Sequence, residues 1–243
     1  GHIGGTMSAM DALTVIYYDK ANVDPKNPKK QDRDRVIMSK GHAGPAMYAV
    51  LCDLGYFPKE WMKTLNQNGT NLPSHCDMNK TPGIDMTAGS LGQGLSAAVG
   101  MALAAKIDRN PATIYCFIGD GESQEGQIWE ASMFAGSRKL DNLIVLLDSN
   151  RMQLDGPVES INGLEPIVDK WKAFNFFVQD VDGHDLSAIS DAIDAAKAQH
   201  EKPSMIVLRT VKGKGASFTE GVANCHSMSV PEEVWRKETG RYE

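Results

Sequence analysis

The chain lacks several things, and each absence narrows what it can be. Cysteine occurs four times in 243 residues, at 52, 76, 116 and 225, with no paired spacing. A disulfide framework is therefore excluded, and reduced thiols of a cytosolic protein are expected. The adjacent His75-Cys76 is the one conceivable metal pair and a minor reading. No apolar run approaches the roughly 20 residues of a membrane-spanning helix, so no span is expected. Positive charge is not in excess either. Lys and Arg number 25 against 31 Asp and Glu, a net charge of −6, which provides no general field for nucleic acid. The one densely charged stretch, 26–35, also holds Pro28, Asp32 and Asp34 and reads as a solvated loop. No signal peptide is visible in a chain that begins at Gly1 without Met. No repeat, low-complexity segment or linker stands out.

What remains is a hydrophobic content of 42%, ordinary for a globular protein, at a length that suits one large α/β domain over residues 1–243. Apolar periodicity predicts helices at 5–20, 44–54, 58–67, 91–109, 123–138, 166–173 and 185–200. Short apolar runs predict strands at 36–38, 113–118, 143–148, 175–179 and 204–209. A long loop is expected at 67–89 and another from 149 to 166. Strand and helix alternate, which argues a parallel sheet with helices on both faces.

The run 114–118 ends in Gly119-Asp120-Gly121, and the run 143–147 ends in Asp148-Ser149-Asn150-Arg151-Met152. If these are neighbouring parallel strands, Asp120 and Asn150 reach the same carboxyl edge of the sheet, where open α/β folds bind ligands. A carboxylate and an amide oxygen are hard donors suited to Mg²⁺ or Ca²⁺, and Mg²⁺ usually completes its shell with waters and phosphate oxygens. Gly121 is expected to open a helix from about Glu122, whose free N–H groups would attract an anion. Metal plus diphosphate is the reading this supports; a solvated Asp and a turn Asn is the plainer one. Gly89-Ser90-Leu91-Gly92-Gln93-Gly94 does not fit a dinucleotide fingerprint, but its glycines permit close backbone approach to a cofactor.

Gly119-Asp120-Gly121 followed by Asn150 resembles the thiamine-diphosphate motif of the transketolase superfamily. Gly1-His2-Ile3-Gly4-Gly5, Ser39-Lys40-Gly41-His42-Ala43, Ser74-His75, the glycine-rich turn at 89–94, Val181-Asp182-Gly183-His184-Asp185 and Lys212-Gly213-Lys214-Gly215 with His226 follow in the family's order. The chain is similar to the diphosphate-binding, N-terminal domain of a transketolase made as a separate subunit.

The resemblance implies a fold, a cofactor and roles. Thiamine diphosphate would be held by His42, Gly89, Leu91, Gly121, Asn150 and His226. The metal, Mg²⁺ with Ca²⁺ as the alternative, would be held by Asp120, Asn150 and the carbonyl of Met152. His2, His75 and His226 would hold sugar hydroxyls and move protons. Glu125 would reach across a subunit interface to the partner's catalytic Glu; helix-end charge compensation is its plainer reading. Lys212 or Lys214 is a candidate charge partner for phosphate. His184 is expected to cap the helix at 185, and His200 to sit at an exposed helix end. The pyrimidine-binding domain is expected on a partner chain, a C-terminal transketolase subunit, in a dimer of heterodimers. The implied reaction is transfer of a two-carbon ketol unit between sugar phosphates, with neither nucleic acid nor membrane as partner. The alternatives are a deoxyxylulose-phosphate synthase, a transketolase for a sulfosugar or branched pentose, and a cofactor-free regulatory subunit. A metal-dependent diphosphate hydrolase is a further one, lacking a clear second acid–base carboxylate beside Asp120.

Overall fold

The structure, a computed structural model, describes residues 1–222 and 224–240. Five strands form its frame: β1 (Arg35–Met38), β2 (Ile114–Gly119), β3 (Leu143–Ser149), β4 (Phe177–Asp182) and β5 (Ser204–Arg209). They make one parallel sheet in the order β1-β2-β3-β5-β4. The central strands are apolar over 114–118, 143–147 and 205–208 and buried there on both faces. Successive side chains point to opposite faces. Val36, Met38, Phe117, Leu146 and Ile206 enter one apolar cluster, and Ile37, Cys116, Val145, Leu147 and Val207 the other.

The described helices are α1 (Ile3–Met7), α2 (Met10–Val15), α3 (Gly44–Asp53), α4 (Gln93–Ile107), α5 (Gly126–Ser137), α6 (Val158–Asn162), α7 (Ile167–Ala173), α8 (Leu186–Ala198) and α9 (Glu232–Thr239). Leu13 of α2, Met47 of α3 and Ile193 of α8 fill the first cluster; Leu95 of α4, Ile128 of α5 and Trp171 of α7 fill the second. This division follows from handedness. Crossovers are right-handed, so the steps from β1 to β2 to β3 and out to β4 place α4, α5 and α7 on one face, while α3, earlier in the β1–β2 connection, packs on the other. The step back from β4 to β5 reverses direction and sends α8 to the other. No helix among the described residues is long and apolar enough to cross a membrane.

Several expected elements differ. The single helix at 5–20 is broken into α1, α2 and a π-type turn over Ile16–Lys20. The break falls at Ser8, whose hydroxyl donates to buried Asp148 at 2.6 Å. The helix at 58–67 is a 3₁₀ turn over Lys59–Thr64 with no fully buried residue; only Trp61 and Met62 pack against the first cluster, too narrow an apolar face to favour a longer helix. The strand at 175–179 shifts to Phe177–Asp182, because β5 supplies its ladder from Ser204 onward and Phe176 packs edge-on against Trp171 instead. The loop from 149 to 166 contains α6, and α9 went unforeseen because it buries no residue. The solvated-loop reading of 26–35 fails at its end. Arg33 pairs with buried Asp85, and Asp34 accepts from the amides of Asn22 at 2.9 Å and Thr113 at 2.8 Å.

Helix α4 positions the loop after β1 by close contact. A Cβ on Gly94 would lie 2.4 Å from the side chain of Ser39, whereas one on Gly100, in the same helix, would meet nothing within 4 Å. The same substitution therefore has opposite effects at the two sites. Gly94→Ala is expected to destabilise the chain by about 1–3 kcal/mol through overpacking. Gly100→Ala is expected to stabilise it by about 0.5–1 kcal/mol through helix propensity. Urea denaturation midpoints of the two variants check this; equal shifts of the same sign would contradict the close packing at Ser39.

Candidate active site

β2 and β3 are neighbours, with Gly119 opposite Asp148 in register. The turns that follow them therefore meet at one carboxyl edge. Asp120 is buried there, 4% exposed. Its Oδ2 accepts from the Arg151 backbone amide, while its Oδ1 is buried with no partner. Asn150 donates through Nδ2 to Asp148 at 3.1 Å and accepts the Met152 amide through Oδ1 at 3.0 Å. The two turns touch closely, since a Cβ on Gly121 would lie 2.8 Å from that of Gln153. The helix expected from about Glu122 is instead a 3₁₀ turn over Glu122–Gln124, followed by α5 from Gly126.

Two buried acids brace this edge, and neither was evident in the sequence. Asp148 is fully buried and accepts from Ser8, Asn150, Thr210 and the ammonium of Lys40. Burial pushes its carboxyl up, but Lys40 and the hydroxyl donors outweigh burial and leave it below the usual range. Lys40 also donates to the Gly5 carbonyl at 2.8 Å. Glu122 accepts from Ser39, from the Gly92 amide at 2.9 Å and from the Gly119 amide at 3.1 Å. Its partners Ser39 and Gly92 lie 83 and 30 residues away in sequence, so no local signal could have found it. Both acids are saturated by donors, so neither is free to serve Asp120 as a second base. Burial, and next the charge of Asp148, raise the Asp120 carboxyl to about 7.

Four histidines converge beside these turns. The ring of His2 lies 5.4 Å from His42, 5.5 Å from His75 and 5.3 Å from His226 between centroids, and His42 lies 5.1 Å from His226. The backbone explains the meeting. The Gly1 nitrogen donates to the Met228 carbonyl at 2.8 Å, and the Gly4 amide to that of Cys225 at 3.0 Å, which lays the start of the chain along the His226 segment. His42 sits in the 3₁₀ turn Gly41–Ala43 after β1, and Tyr48 of α3 holds the His75 loop by donating to the Pro73 carbonyl at 2.9 Å. Burial and then the Lys40 charge bring His42 down to about 3; burial and then Lys212 bring His226 down to about 4. Burial, His75 and the N-terminal charge lower His2 as well. These three are neutral imidazoles at physiological pH, able to donate and accept hydrogen bonds at sugar or phosphate oxygens.

A cavity of about 280 Å³ opens at this edge, lined among others by Lys40, His42, Leu91, Asp120, Asn150, Met152, Lys212 and His226. His2 and His75 join it through the ring cluster. Gly121 and Glu125 also line it; Glu125 is an exposed residue at the N-cap of α5 rather than in its first turn. Gly89 is exposed and does not line the cavity. Of the two lysines in the late glycine-rich loop, Lys212 faces the cavity and Lys214 pairs with Glu220 at 2.9 Å. Asp185, not His184, caps α8, accepting from the amides of Ser187 and Ala188. His184 instead bridges Asp11 at 2.7 Å and the Val211 amide at 2.8 Å. His200 is exposed just past α8. Cys76 is buried and its thiol is pushed up to about 12, against a thiolate metal ligand beside His75. The four cysteines are unpaired.

Among the described residues no group of three or more His, Cys, Asp or Glu could hold a metal. The donor set at this edge is of another kind: one carboxylate with an orphaned oxygen, an amide oxygen and backbone carbonyls. All are hard oxygens, and the buried, unpartnered Asp120 Oδ1 fits a small divalent cation such as Mg²⁺ or Ca²⁺.

Comparison with known proteins agrees with this geometry. Residues 1–240 match the family model of the transketolase, thiamine diphosphate binding domain. The chain is 57% identical over 236 residues to the 6-deoxy-6-sulfo-D-fructose transketolase subunit SqwG of a Clostridium species, covering 97% of this chain and 86% of that protein. It is 41% identical over 226 residues to one of the subunits of the apulose-4-phosphate transketolase of Phocaeicola vulgatus, covering 93% and 80%. Among solved structures, the transketolase of Campylobacter jejuni superposes with a TM-score of 0.89 at 32% identity, covering 99% of this chain and 41% of that one. The chain thus spans about two fifths of the solved transketolase, and most of the length of the two relatives named as subunits. With its parallel sheet, carboxyl-edge turns and matched sequence, the chain belongs to the transketolase family, through that family's thiamine diphosphate binding domain.

Proposed function

We propose that residues 1–243 form a single diphosphate-binding domain that acts as one subunit of a two-chain, cytoplasmic transketolase. The pyrimidine-binding domain would lie on a C-terminal subunit, with two such pairs assembled as a dimer of heterodimers. The observation that carries the reading is the buried Asp120 oxygen left without a partner beside Asn150, at the mouth of a cavity walled by neutral histidines. The naming of both relatives as subunits, together with their similar lengths, supports the two-chain arrangement.

In this reading Asp120, Asn150 and the Met152 carbonyl hold Mg²⁺, with Ca²⁺ as the alternative, and the metal bridges to a diphosphate. His42, Gly121, Asn150 and His226 line the diphosphate side, with Leu91 as an apolar wall. Bound thiamine diphosphate would supply the stabilised carbanion that lets a two-carbon ketol unit leave one sugar and join another. His2, His75 and His226 would hold hydroxyl and carbonyl oxygens and carry protons to and from them. Glu125, exposed at the cavity rim, would reach across the interface to the partner subunit. The donor we favour is a 6-deoxy-6-sulfo ketose, on the strength of the 57% identical relative; a branched pentose phosphate, the substrate named for the 41% identical relative, is the second reading.

Three outcomes are expected. First, the chain alone is inactive, and mixing it with a candidate C-terminal subunit restores ketol transfer; kcat/KM for 6-deoxy-6-sulfo-D-fructose should exceed that for apulose 4-phosphate by about tenfold or more. Full activity of the chain alone would end the two-chain reading, and the reverse preference would replace the donor.

Second, Asp120→Ala should abolish cation-dependent binding of thiamine diphosphate in calorimetric titrations of the mixed subunits, with the secondary structure intact by circular dichroism. Unchanged binding would remove Asp120 from the metal site.

Third, cation binding needs the Asp120 carboxylate, whose folded value is about 7. Apparent cation affinity should therefore weaken by about tenfold per pH unit below that value and level off above it, with proton release on binding. Stability of the metal-free chain runs the other way. A carboxyl raised from 3.8 to about 7 binds more protons folded than unfolded, so its contribution to stability falls as pH rises between those values. Thermal denaturation with and without cation reads both signs; a cation affinity independent of pH would contradict the role of Asp120.

A further inference from the structure

Lys212 is the one cavity-wall cation that the proposed chemistry leaves without a task. It is 4% exposed, and its ammonium makes no ion pair among the described residues. A buried ammonium without a carboxylate is costly, so what it does touch is informative. Its nitrogen lies 3.3 Å from the Gln153 carbonyl and 3.4 Å from Nδ1 of His226. The stem is held beside Gly4, where a Cβ would come within 3.0 Å of Lys212 Cε. The loop that carries Lys212 is fixed from behind: the Val211 amide donates to Nε2 of His184, whose other ring nitrogen meets Asp11 at 2.7 Å, and the Gly213 amide donates to the Gly4 carbonyl at 3.0 Å. The side chain is thus anchored at three points with its head between the metal-side turn and a histidine.

An ammonium has donors only. A nitrogen facing it must accept, so Nδ1 of His226 cannot carry the proton. We propose that Lys212 is a positioning residue that locks His226 in the Nε2–H tautomer and so presents it to a bound sugar or phosphate oxygen as a hydrogen-bond donor. This deepens the reading of the site above and assigns a direction to one of its histidines. In the resting state His226 gives a hydrogen bond, which narrows its part in the roles proposed above to holding an oxygen by donation until Nδ1 is released from Lys212. The second contact, to the Gln153 carbonyl, ties that donor to the turn bearing Asn150 and Met152, so the histidine and the proposed metal turn keep a fixed spacing.

The other charged and titratable groups around His226 bear on the same ring. His2 and His42 lie 5.3 Å and 5.1 Å away between centroids. The charge of Lys40 adds to that of Lys212 in disfavouring the imidazolium, and Asp155 opposes them. Burial lowers Lys212 itself below the ordinary lysine range, with Lys40 adding to that, while Cys225, Asp148 and Asp120 favour its charged form. Burial is the largest influence on His226, and Lys212 the largest charge. Neutralising Lys212 therefore releases a definite share of the depression and frees Nδ1, while an arginine keeps both the charge and the donor.

The test reads the imidazole itself by NMR on the full chain labelled at histidine, with His226→Gln to assign the signal. Failure of the proposed sugar chemistry would leave this result untouched. In the wild type the ring is expected as the Nε2–H tautomer, still neutral well below neutrality. In Lys212→Met the midpoint should rise by about one pH unit and the Nδ1–H tautomer should become populated. Lys212→Arg should keep the wild-type tautomer and midpoint. The wild-type tautomer needs no variant, so a poorly folded Lys212→Met would not rescue the idea. An Nδ1–H ring in the wild type overturns it, as does a Lys212→Met signal unchanged in tautomer and midpoint.

Discussion

The arrangement depends on one buried charge. Asp148 is fully removed from water, and a carboxylate in that position is tolerable only when paired and hydrogen-bonded. Its four donors come from four places: Ser8 at the break between α1 and α2, Lys40 in the loop after β1, Asn150 in the turn after β3, and Thr210 after β5. None of these segments is near another in sequence. Satisfying one carboxylate brings all of them to the same edge of the sheet, and the histidines on two of them come too. Losing Lys40 would leave the charge uncompensated, a loss of about 3–5 kcal/mol for a buried pair, and losing one of the neutral donors would cost about 1–3 kcal/mol. This is why the first helix breaks where it does.

Glu122 makes the second brace by the same logic, with Ser39 and the amides of Gly92 and Gly119 as donors. It fixes the loop after β1, the glycine-rich turn before α4 and the end of β2 to one another. Between the two braces the cavity is lined by charges of both signs. Lys40 and Lys212 line it together with His42 and His226, and Asp120, Glu122, Glu125 and Asp155 line it as well. Burial first, and then the lysine charges, keep His42 and His226 neutral, so in the resting site they act by hydrogen bonding.

The sequence revealed the frame well and the braces poorly, for physical reasons. The runs 114–118, 143–147 and 205–208 within β2, β3 and β5 are apolar, and a strand buried on both faces can look like little else. β4 is half-exposed at the sheet edge and carries Asp180 and Asp182, so its apolar start at Phe176 misplaced it by two residues. α9 buries nothing and leaves no apolar stripe to find. Asp120 and Asn150 could be placed because each follows a legible strand. That His2, His42, His75 and His226 would meet rested on family resemblance, since their convergence is decided by backbone pairing between the two ends of the described chain. Asp148 and Glu122 carry no local signal, and the late glycine-rich loop pointed to Lys212 or Lys214 without deciding between them; their meaning lies in partners supplied by distant turns.

The contrast between Asp120 and Asp148 identifies which atom the site is built around. Both carboxylates are buried and they face each other's charge. Asp148 has donors enough to sit below the ordinary range, whereas Asp120 has an amide on one oxygen and nothing on the other, and rises to about 7. Neighbouring acids pushed in opposite directions mark different tasks. A fold that can saturate Asp148 with four donors and Glu122 with three is not short of donors at this edge. The single unsatisfied oxygen is therefore best understood as one that the fold leaves for a ligand, and a hard cation is the ligand whose charge, size and donor preference relieve it.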